Sequence, residues 1–316
     1  MRRVLVTGAT GLVGGELCAR LAGSGYQVRA ALRADAALPA CTAEKVIVGD
    51  IAHAIDWRPA LADVQAVVHT AAHTHVRRPR QYDRDLYEAV NVRGTYQLAQ
   101  SAADLGVQRF VYLSSIKVNG ETTSGRPYTA GDHPEPRDCY GRSKLRAETC
   151  LMQAAAGTGM QVAVLRPPLV YGPGVRANFL HLMRWVDSQR PLPFGAIRNQ
   201  RSLVSVWNLC DLIATLLATP RPQGVWLVSD GEDVSTPELI RRLAHAMQRT
   251  ARLVAIPVPL LRLCAAMVGR SAEGARLCGS LQVSMAATCE ALGWSPPIPM
   301  DEALARTVTW YRAHCR

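Results

Sequence analysis

Near its N-terminus the chain contains Arg3-Val4-Leu5-Val6-Thr7-Gly8-Ala9-Thr10-Gly11-Leu12-Val13-Gly14, a short apolar strand followed by a glycine-rich turn. A helical pattern then continues to Leu21. Three glycines have separate roles in such a turn: Gly8 permits the tight bend, Gly11 lets the backbone approach a pyrophosphate, and Gly14 lets the helix pack closely on the strand. The helix N-terminus offers unpaired N–H groups and partial positive charge to phosphates. This order of strand, turn and helix predicts a dinucleotide-binding site.

Strand and helix patterns alternate beyond this turn. Strands are predicted over residues 27–32, 45–48, 66–69, 109–115 and 162–166, and helices over 87–105 and 140–156. Repeated βα units require a parallel sheet with helices on both faces. The sequence therefore predicts an α/β fold with a Rossmann-type doubly wound parallel sheet, which binds ligands beyond the carboxyl ends of its strands.

The regular alternation stops at Pro167-Pro168. We expect residues 1–166, together with about 201–230, to form an NAD(P)-binding domain. Residues 167–200 and 231–316 are expected to form a smaller C-terminal substrate-binding domain.

The composition and charge of the chain exclude some classes of partner and favour one cellular compartment. The 316 residues are 48% apolar and carry a net charge of +11, but the charge is scattered and no basic run is interleaved with aromatics, so we expect no nucleic-acid partner. Nine cysteines without a CxxC pair fit neither a metal site nor a disulfide framework and favour a reducing, cytoplasmic location. The most apolar stretch, residues 254–268, is too short to predict a membrane span.

Lysine is rare in this chain, which contains only Lys45, Lys117 and Lys144 against 33 arginines. Lys144 follows Tyr140 by four residues in a predicted helix, so the amine and the phenol lie on one helix face. A lysine ammonium is a compact point charge that the planar fork of arginine does not replace. The spacing makes Tyr140 and Lys144 candidates for a catalytic pair; the alternative is coincidence, and the other motifs of the chain decide between the two.

Several ordered motifs together resemble the extended short-chain dehydrogenase/reductases, in particular the nucleotide-sugar 4-epimerase and 4-ketoreductase branch of the NAD-dependent epimerase/dehydratase family. The motifs that support the resemblance are Thr7-Gly8 to Gly14, His69-Thr70-Ala71-Ala72, Asn91-Val92-Arg93-Gly94-Thr95, Leu113-Ser114-Ser115, Tyr140 to Lys144, Leu165-Arg166-Pro167, Val170-Tyr171-Gly172-Pro173-Gly174, Arg201-Ser202-Leu203-Val204 and Leu292-Gly293-Trp294. They cover most of the chain. The resemblance implies a homodimer formed by helices 87–105 and 140–156.

The resemblance also implies residue roles. Tyr140 would be the acid/base, Lys144 its electrostatic partner, and Ser115 the second hydrogen-bond donor to the substrate oxygen. The expected cofactor contacts are Gly8, Thr10, Gly11, Leu12, Val13, Gly14, Arg33, Asp50, Ile51, Ala71, Ala72, Asn91, Tyr140, Lys144 and Pro167. The expected substrate contacts are His73, Ser115, Asn119, Asn178, Phe179 and Arg201, with His75, Arg270 and Arg276 as weaker candidates.

The chemistry of the site requires a tuned phenol. A free tyrosine has a pKa near 10, so only about one phenol in a thousand is ionised at neutral pH. A neighbouring ammonium and an oxidised nicotinamide both favour the phenolate, and a shift of about three units corresponds to roughly 4 kcal/mol. We therefore expect Tyr140 to exchange a proton with a sugar hydroxyl while hydride moves to or from the same carbon.

The second predicted strand ends in Ala30-Ala31-Leu32-Arg33, without the acidic residue that usually binds the ribose of NAD. Arg33 would suit a 2′-phosphate, so the sequence favours NADP over NAD. The alternative is that Arg33 stacks on the adenine, which tolerates either cofactor.

We expect an oxidoreductase or epimerase acting at C4 of a nucleotide sugar, most simply a UDP-sugar, with a slight preference for a 4-keto-sugar reductase. One alternative is a UDP-hexose 4-epimerase with tightly held NAD. Others are a hydroxysteroid- or flavonoid-type alcohol reductase and a non-enzymatic dinucleotide sensor. Leu169 and Trp207 replace the asparagine and the aspartate of the 4-epimerases, so the sugar pocket should differ from that of a housekeeping galactose epimerase.

Overall fold

The computed structural model describes residues 2–38, 42, 44–74, 81–267 and 271–315. Ten strands occur in these residues: β1 (Arg3–Thr7), β2 (Gln27–Leu32), β3 (Glu44–Ile47), β4 (Ala66–His69), β5 (Arg109–Leu113), β6 (Gln161–Arg166), β7 (Leu169–Tyr171), β8 (Arg201–Ser205), β9 (Gly224–Leu227) and β10 (Asp233–Val234). Seven of them form one sheet in the order β3-β2-β1-β4-β5-β6-β9, with every neighbouring pair parallel. The predicted parallel sheet is confirmed.

Helices connect and cover these strands. The α-helices are α1 (Leu12–Gly23), α2 (Arg58–Leu61), α3 (Gln81–Leu86), α4 (Thr95–Asp104), α5 (Cys139–Ala155), α6 (Ala177–Asp187), α7 (Val206–Ala218), α8 (Thr236–Ala246), α9 (Val258–Met267), α10 (Ser271–Cys278), α11 (Ala286–Leu292) and α12 (Met300–His314). A π-helix spans Tyr87–Gly94 and a 3₁₀-helix spans Ile116–Val118. Among the described residues, no helix combines the length and apolar character needed to cross a bilayer.

Helices cover both faces of the large sheet, as a doubly wound fold requires. Val4 of β1 belongs to a buried cluster with Leu17 of α1 and with side chains of α7. The next residue, Leu5, belongs to a second cluster with Leu98 of α4 and Leu151 of α5. Because successive side chains of a strand point to opposite faces, an all-apolar strand such as β1 is buried on both sides.

The C-terminal part has a core of its own. Parallel strands β7 and β8 and antiparallel β10 form a small sheet. A third buried cluster joins α6, α8 and α12. Segment 201–230 contributes to both parts, since β8 lies in the small sheet, α7 packs on α1, and β9 pairs with β6 in the large sheet. The division into two domains stays a prediction.

The predicted helix over residues 87–105 has an unexpected beginning. Its first turns are the π-helix Tyr87–Gly94, and regular α-helix begins only at Thr95. Gly94 lies so close to the loop after β3 that a Cβ there would be 2.6 Å from the Ile51 carbonyl oxygen. Single-turn π segments are common at functional sites, and this one carries Asn91.

Candidate active site

Tyr140 and Lys144 lie on the first turns of α5. Asp138 begins the helix, because its carboxylate accepts a hydrogen bond from the Gly141 N–H at 2.7 Å. The Lys144 ammonium lies 6.0 Å from the centroid of the Tyr140 ring. The four-residue spacing therefore places the amine beside the phenol.

Lys144 is almost completely enclosed, with 2% of its surface exposed. Its ammonium donates to the Leu113 carbonyl oxygen at 2.8 Å and to the Tyr112 hydroxyl at 3.2 Å. Burial lowers the pKa of Lys144 from 10.5 to about 7, while the charge of Glu148 opposes this shift. The lysine can therefore change its charge near neutral pH.

The protein groups around Tyr140 do not by themselves favour its phenolate. Burial raises the pKa of the Tyr140 phenol above its ordinary value of 10.0, and the charges of Asp138 and Tyr87 raise it further. A hydrogen bond with Ser115 lowers the pKa of Tyr140 but is the smallest of these effects. A phenolate at neutral pH therefore needs positive charge from a bound group in addition to Lys144, as the oxidised nicotinamide expected from the sequence would provide.

The two consecutive serines after β5 have different environments. Ser115 is partly exposed, is hydrogen-bonded with Tyr140, and begins the 3₁₀-helix by accepting from the Lys117 N–H at 3.3 Å. Ser114 is 3% exposed and donates its hydroxyl to the Glu148 carboxylate. Only Ser115 therefore shares the cleft with Tyr140.

The glycine turn is shaped for close approach. Gly8 has a φ of +69°, and a Cβ there would lie 2.8 Å from the Ala71 nitrogen. A Cβ on Gly14 would lie 2.1 Å from the Gly8 carbonyl oxygen, so α1 can pack on the turn only through glycine. The first hydrogen bond within α1 runs from the Gly15 N–H to the Gly11 carbonyl at 3.0 Å. The N–H groups of the preceding helical residues, Leu12, Val13 and Gly14, have no acceptor within the helix and can bind an anion.

The ends of β2 and β3 form the other side of the expected cofactor site. Arg33 is exposed, and its guanidinium lies 4.0 Å from the Asp50 carboxylate. Asp50 also accepts from the Ala52 N–H at 3.0 Å. A negative charge beside Arg33 weakens the attraction of this corner for a 2′-phosphate.

A buried histidine, His69, connects β1, β4 and α4 beneath the glycine turn. Thr95 donates its hydroxyl proton to the Asn91 carbonyl at 2.7 Å and therefore accepts from His69 Nε2 at 3.0 Å. His69 Nδ1 then accepts from the Thr7 hydroxyl at 2.7 Å, and the Thr7 oxygen accepts from the Ala71 N–H at 3.2 Å. Burial lowers the pKa of His69 to about 3, so the ring is neutral. The motif at residues 69–72 marked this position, but not its role.

Asn91 joins the π-helix to two neighbouring segments. Its side-chain oxygen accepts from the His73 N–H at 2.8 Å, and its amide nitrogen donates to the His73 carbonyl at 3.0 Å and to the Ser143 hydroxyl at 2.9 Å. The His73 ring packs on Tyr87, which in turn lies 6.1 Å from the Tyr140 ring. The Asn91 side chain thus holds two segments together: the residues that follow β4, and helix α5. His75 lies outside the described residues.

Asn119 was expected to contact the substrate, and the structure places it elsewhere. Its side-chain oxygen accepts from Arg166 at 3.0 Å, and the residue is 1% exposed. Arg166 also forms a two-point ion pair with Glu148 at 2.6 and 3.0 Å. The Asn119 side chain is therefore part of a buried hydrogen-bond network with Arg166 and Glu148. The backbone at Pro167 supports the same region, since its carbonyl accepts from the Ile116 N–H at 2.9 Å.

The remaining substrate candidates differ in accessibility. Asn178 is exposed at the first turn of α6, where it can meet a ligand. Phe179 is 4% exposed and stacks on Tyr171 with ring centroids 5.3 Å apart, so its ring is part of the core. Arg201 donates to the carbonyl oxygens of Arg276 at 2.7 Å and Gly279 at 3.1 Å, and burial lowers its pKa. Those bonds commit one nitrogen of Arg201 to the backbone at the C-terminal end of α10.

Arg276 is itself engaged by a carboxylate. Its guanidinium contacts Glu121 at 2.9 and 3.2 Å. Arg270 lies outside the described residues.

The sequence matches the model of the NAD dependent epimerase/dehydratase family over residues 4–228. That range contains the glycine turn and the Ser115, Tyr140 and Lys144 cluster.

Individual proteins are similar over nearly the whole chain. The UDP-glucose 4-epimerase of Vibrio cholerae is 43% identical over 311 residues, which are 97% of this chain and 94% of the relative. The 3-beta-hydroxysteroid dehydrogenase of Mycolicibacterium neoaurum is 26% identical over 343 residues, with 98% and 91% covered. The solved structure of MoeE5 in complex with UDP-glucose and NAD has a TM-score of 0.80 at 28% identity and covers 99% of this chain and 100% of that one.

Proposed function

Because the chain belongs to the NAD dependent epimerase/dehydratase family, we propose that it is a UDP-hexose 4-epimerase that keeps NAD bound throughout its catalytic cycle. The family membership makes the protein an NAD-dependent enzyme of the nucleotide-sugar epimerase and dehydratase type; the reaction and the sugar are the proposal. The observation that supports it best is the convergence of Ser115, Tyr140 and Lys144 beside a glycine turn, in a chain 43% identical to a UDP-glucose 4-epimerase.

This proposal prefers the epimerase over the 4-keto-sugar reductase that the sequence slightly favoured. The preference for a reductase depended on Arg33 and on the missing acidic residue after β2. Asp50 places a carboxylate 4.0 Å from that arginine and supplies an acidic group from the neighbouring strand end. MoeE5 was solved with NAD and UDP-glucose. Both observations support NAD over NADP.

The residues of the turn fit a dinucleotide. The backbone at Gly8 and Gly14 is packed so tightly that any side chain there would collide with the backbone of Ala71 or of Gly8 itself and distort the turn. The N–H groups of Leu12 and Val13 are available to the pyrophosphate, and Ala71 and Ala72 are small residues at the end of β4. Bound NAD would supply reversible hydride transfer at C4 of the sugar.

Side chains of the cleft would accept and return the proton of the C4 hydroxyl while hydride moves to and from the nicotinamide. Tyr140 takes the proton from the C4 hydroxyl and later returns it to the carbonyl oxygen. Ser115 donates a hydrogen bond to the same oxygen, and the Lys144 ammonium stabilises the tyrosine anion. The same groups serve both directions, as an epimerisation requires.

The diphosphate end of the substrate would lie toward Asn178 and Arg201. Asn178 is exposed on α6, and Arg201 can offer its remaining guanidinium nitrogens to phosphate. We further propose a cytoplasmic homodimer. The two helices expected to pair between subunits are α4 and α5. These helices and the turn after α4 carry exposed apolar side chains at Tyr96, Leu105 and Met152.

The decisive experiment uses purified enzyme with UDP-glucose and UDP-galactose. We expect interconversion without net consumption of nicotinamide, and release of stoichiometric NAD only when the protein is denatured. Tyr140→Phe should abolish turnover and retain the cofactor. Stoichiometric oxidation of NADPH with a 4-keto sugar would instead establish the reductase.

The relative that acts on hydroxysteroids motivates a second test. UDP should raise the melting temperature of the enzyme by mass action, because it binds only the folded protein. A steroid alcohol that stabilises the protein when UDP does not would favour the alcohol-reductase alternative.

A further inference from the structure

Lys117 is one of only three lysines in the chain, and the proposed mechanism does not use it. It follows Ser115 by two residues, in the 3₁₀-helix Ile116–Val118. Arginine is far commoner in this chain and differs from lysine in shape and hydration. A lysine at position 117, as at position 144, therefore suggests a role that arginine would not fill.

Lys117 contacts both halves of the proton-transfer site. Its N–H donates to the Ser115 hydroxyl oxygen at 3.3 Å. Its ammonium donates to the Asp138 carboxylate, and to Glu121 at 3.4 Å. Its carbonyl oxygen lies so close to α5 that a Cβ on Gly141 would be 2.7 Å away. One residue therefore joins the serine turn to the beginning of the tyrosine helix.

Asp138 connects Lys117 with the helix turn that carries Tyr140. One of its oxygens caps α5 through the Gly141 N–H at 2.7 Å, and the other binds Lys117. Asp138 is two residues from Tyr140, and its negative charge disfavours the tyrosine anion.

Arg276 brings α10 into the same cluster. Its guanidinium lies 2.9 Å from Glu121 and 3.9 Å from Asp138. The four side chains are only 19–32% exposed, so their charges are incompletely screened by water. The positive charges of Lys117 and Arg276 therefore offset the negative charges of the two carboxylates in this cluster.

The other charged or titratable groups near Tyr140 come from three elements. Lys144 lies on the same helix at 6.0 Å from the ring, and Tyr87 faces it from the π-helix at 6.1 Å. Tyr112 of β5 interacts electrostatically with Tyr140 and binds the Lys144 ammonium. None of these three touches the cluster formed by Lys117, Glu121, Asp138 and Arg276 through a contact described above. The charges of that cluster therefore act on Tyr140 separately from these groups.

We propose that Lys117 is a positioning residue for the proton-transfer site: it offsets the negative charge of Asp138 next to Tyr140 and holds the Ser115 turn against the start of α5. This inference depends on the proposed function only in assigning the proton to Tyr140.

The test measures the ionisation of Tyr140 directly. The NAD-loaded protein is labelled with tyrosine carrying ¹³C at the ring Cζ, and its NMR spectrum is followed as the pH is raised. The chain has nine tyrosines, and a Tyr140→Phe sample identifies the signal. Four variants are compared with the wild type: Lys117→Met, Lys117→Arg, Asp138→Asn, and Lys117→Met combined with Asp138→Asn.

We expect Lys117→Met to move the Tyr140 titration upward by roughly half a unit to one unit, the effect of one charge at this range and partial burial. Asp138→Asn should move it downward, because asparagine still caps the helix but carries no charge. The double variant should titrate between the two single variants, because the opposite effects of the two lost charges on Tyr140 add. Lys117→Arg keeps the positive charge and should titrate close to the wild type.

The matched control is Lys45→Met, which removes the third lysine from its exposed partner Asp35 and should leave the Tyr140 signal unchanged. An unchanged or lowered titration in Lys117→Met, or a double variant that titrates no lower than Lys117→Met, overturns the inference. If Lys117→Met does not fold, Asp138→Asn decides, and an unshifted titration there overturns it equally. Failure of the enzyme to convert UDP-hexoses would contradict the proposed function but not this result, since the signal needs no substrate.

Discussion

The Lys144 ammonium donates a hydrogen bond of 2.8 Å to the carbonyl oxygen of Leu113, the last residue of β5. This bond ties the helix that carries Tyr140 to the strand that leads to Ser115. The Tyr112 hydroxyl provides a second contact at 3.2 Å from the same strand end. Lys144 therefore supplies charge to the cleft and also sets the spacing between its two hydroxyl groups.

The burial of Lys144 predicts a pH-dependent effect on stability. Its pKa falls from 10.5 to about 7 on folding, so the unfolded chain binds more protons between those values. The cost of burying Lys144 is therefore greatest at and below pH 7 and disappears as the pH rises to 10.5. Urea unfolding should show the stability of Lys144→Met, relative to wild type, declining between pH 7 and pH 10. A difference that stays constant over this range would contradict the lowered pKa.

The different environments of Ser114 and Ser115 predict different effects of alanine substitution on activity and stability. Ser115→Ala should lower kcat by roughly 100-fold, because the substrate oxygen loses a preorganised donor. Ser114→Ala is the matched control: it should retain most activity but lose about 1–3 kcal/mol of stability, because the buried Glu148 carboxylate loses a donor. Activity assays and denaturant unfolding on both variants separate the two roles. Equal loss of kcat in both would remove the distinction.

Neighbouring glycines of α1 predict very different tolerance of alanine. A Cβ on Gly14 would lie 2.1 Å from the Gly8 carbonyl oxygen, whereas the nearest atom to a Cβ on Gly15 is 3.5 Å away. Gly14→Ala should distort the turn and weaken NAD retention at least about tenfold, since backbone must move. Gly15→Ala should keep the cofactor and gain up to about 1 kcal/mol of helix stability. Cofactor content after gel filtration and thermal unfolding provide the measurements.

The buried His69 predicts acid sensitivity. Its pKa is lowered from 6.5 to about 3, so between these values the unfolded chain binds the extra proton. The stability associated with the neutral ring is complete above pH 6.5 and is lost as the pH falls toward 3, by about 3 kcal/mol at pH 4. His69→Asn should be less stable at pH 7, because the bonds to Thr7 and Thr95 are lost, yet should show a flatter decline between pH 7 and 4. A parallel decline in the two proteins would show that His69 does not titrate on unfolding.

Local spacing was enough to predict the parts of the site that lie within one segment. The glycine turn and the Tyr140–Lys144 pair depend on backbone geometry over a few residues, so their positions follow from the sequence. Asn119 and Phe179 were assigned by motif position, which does not state the direction of a side chain. The structure directs them into a buried ion-pair network and an aromatic stack instead.

The sequence by itself determined the α/β class, the positions of the first six strands along the chain, the glycine turn and the spacing of Tyr140 and Lys144, because apolar periodicity and short-range spacing encode them. Only the tertiary structure decided how Lys144 is enclosed, that His69 bridges Thr7 and Thr95, and that Lys117 meets Asp138. These contacts join residues 21 to 62 positions apart in the chain. Their burial and charge arise only when separate strands and helices pack together, and so they set the pKa values on which the chemistry depends.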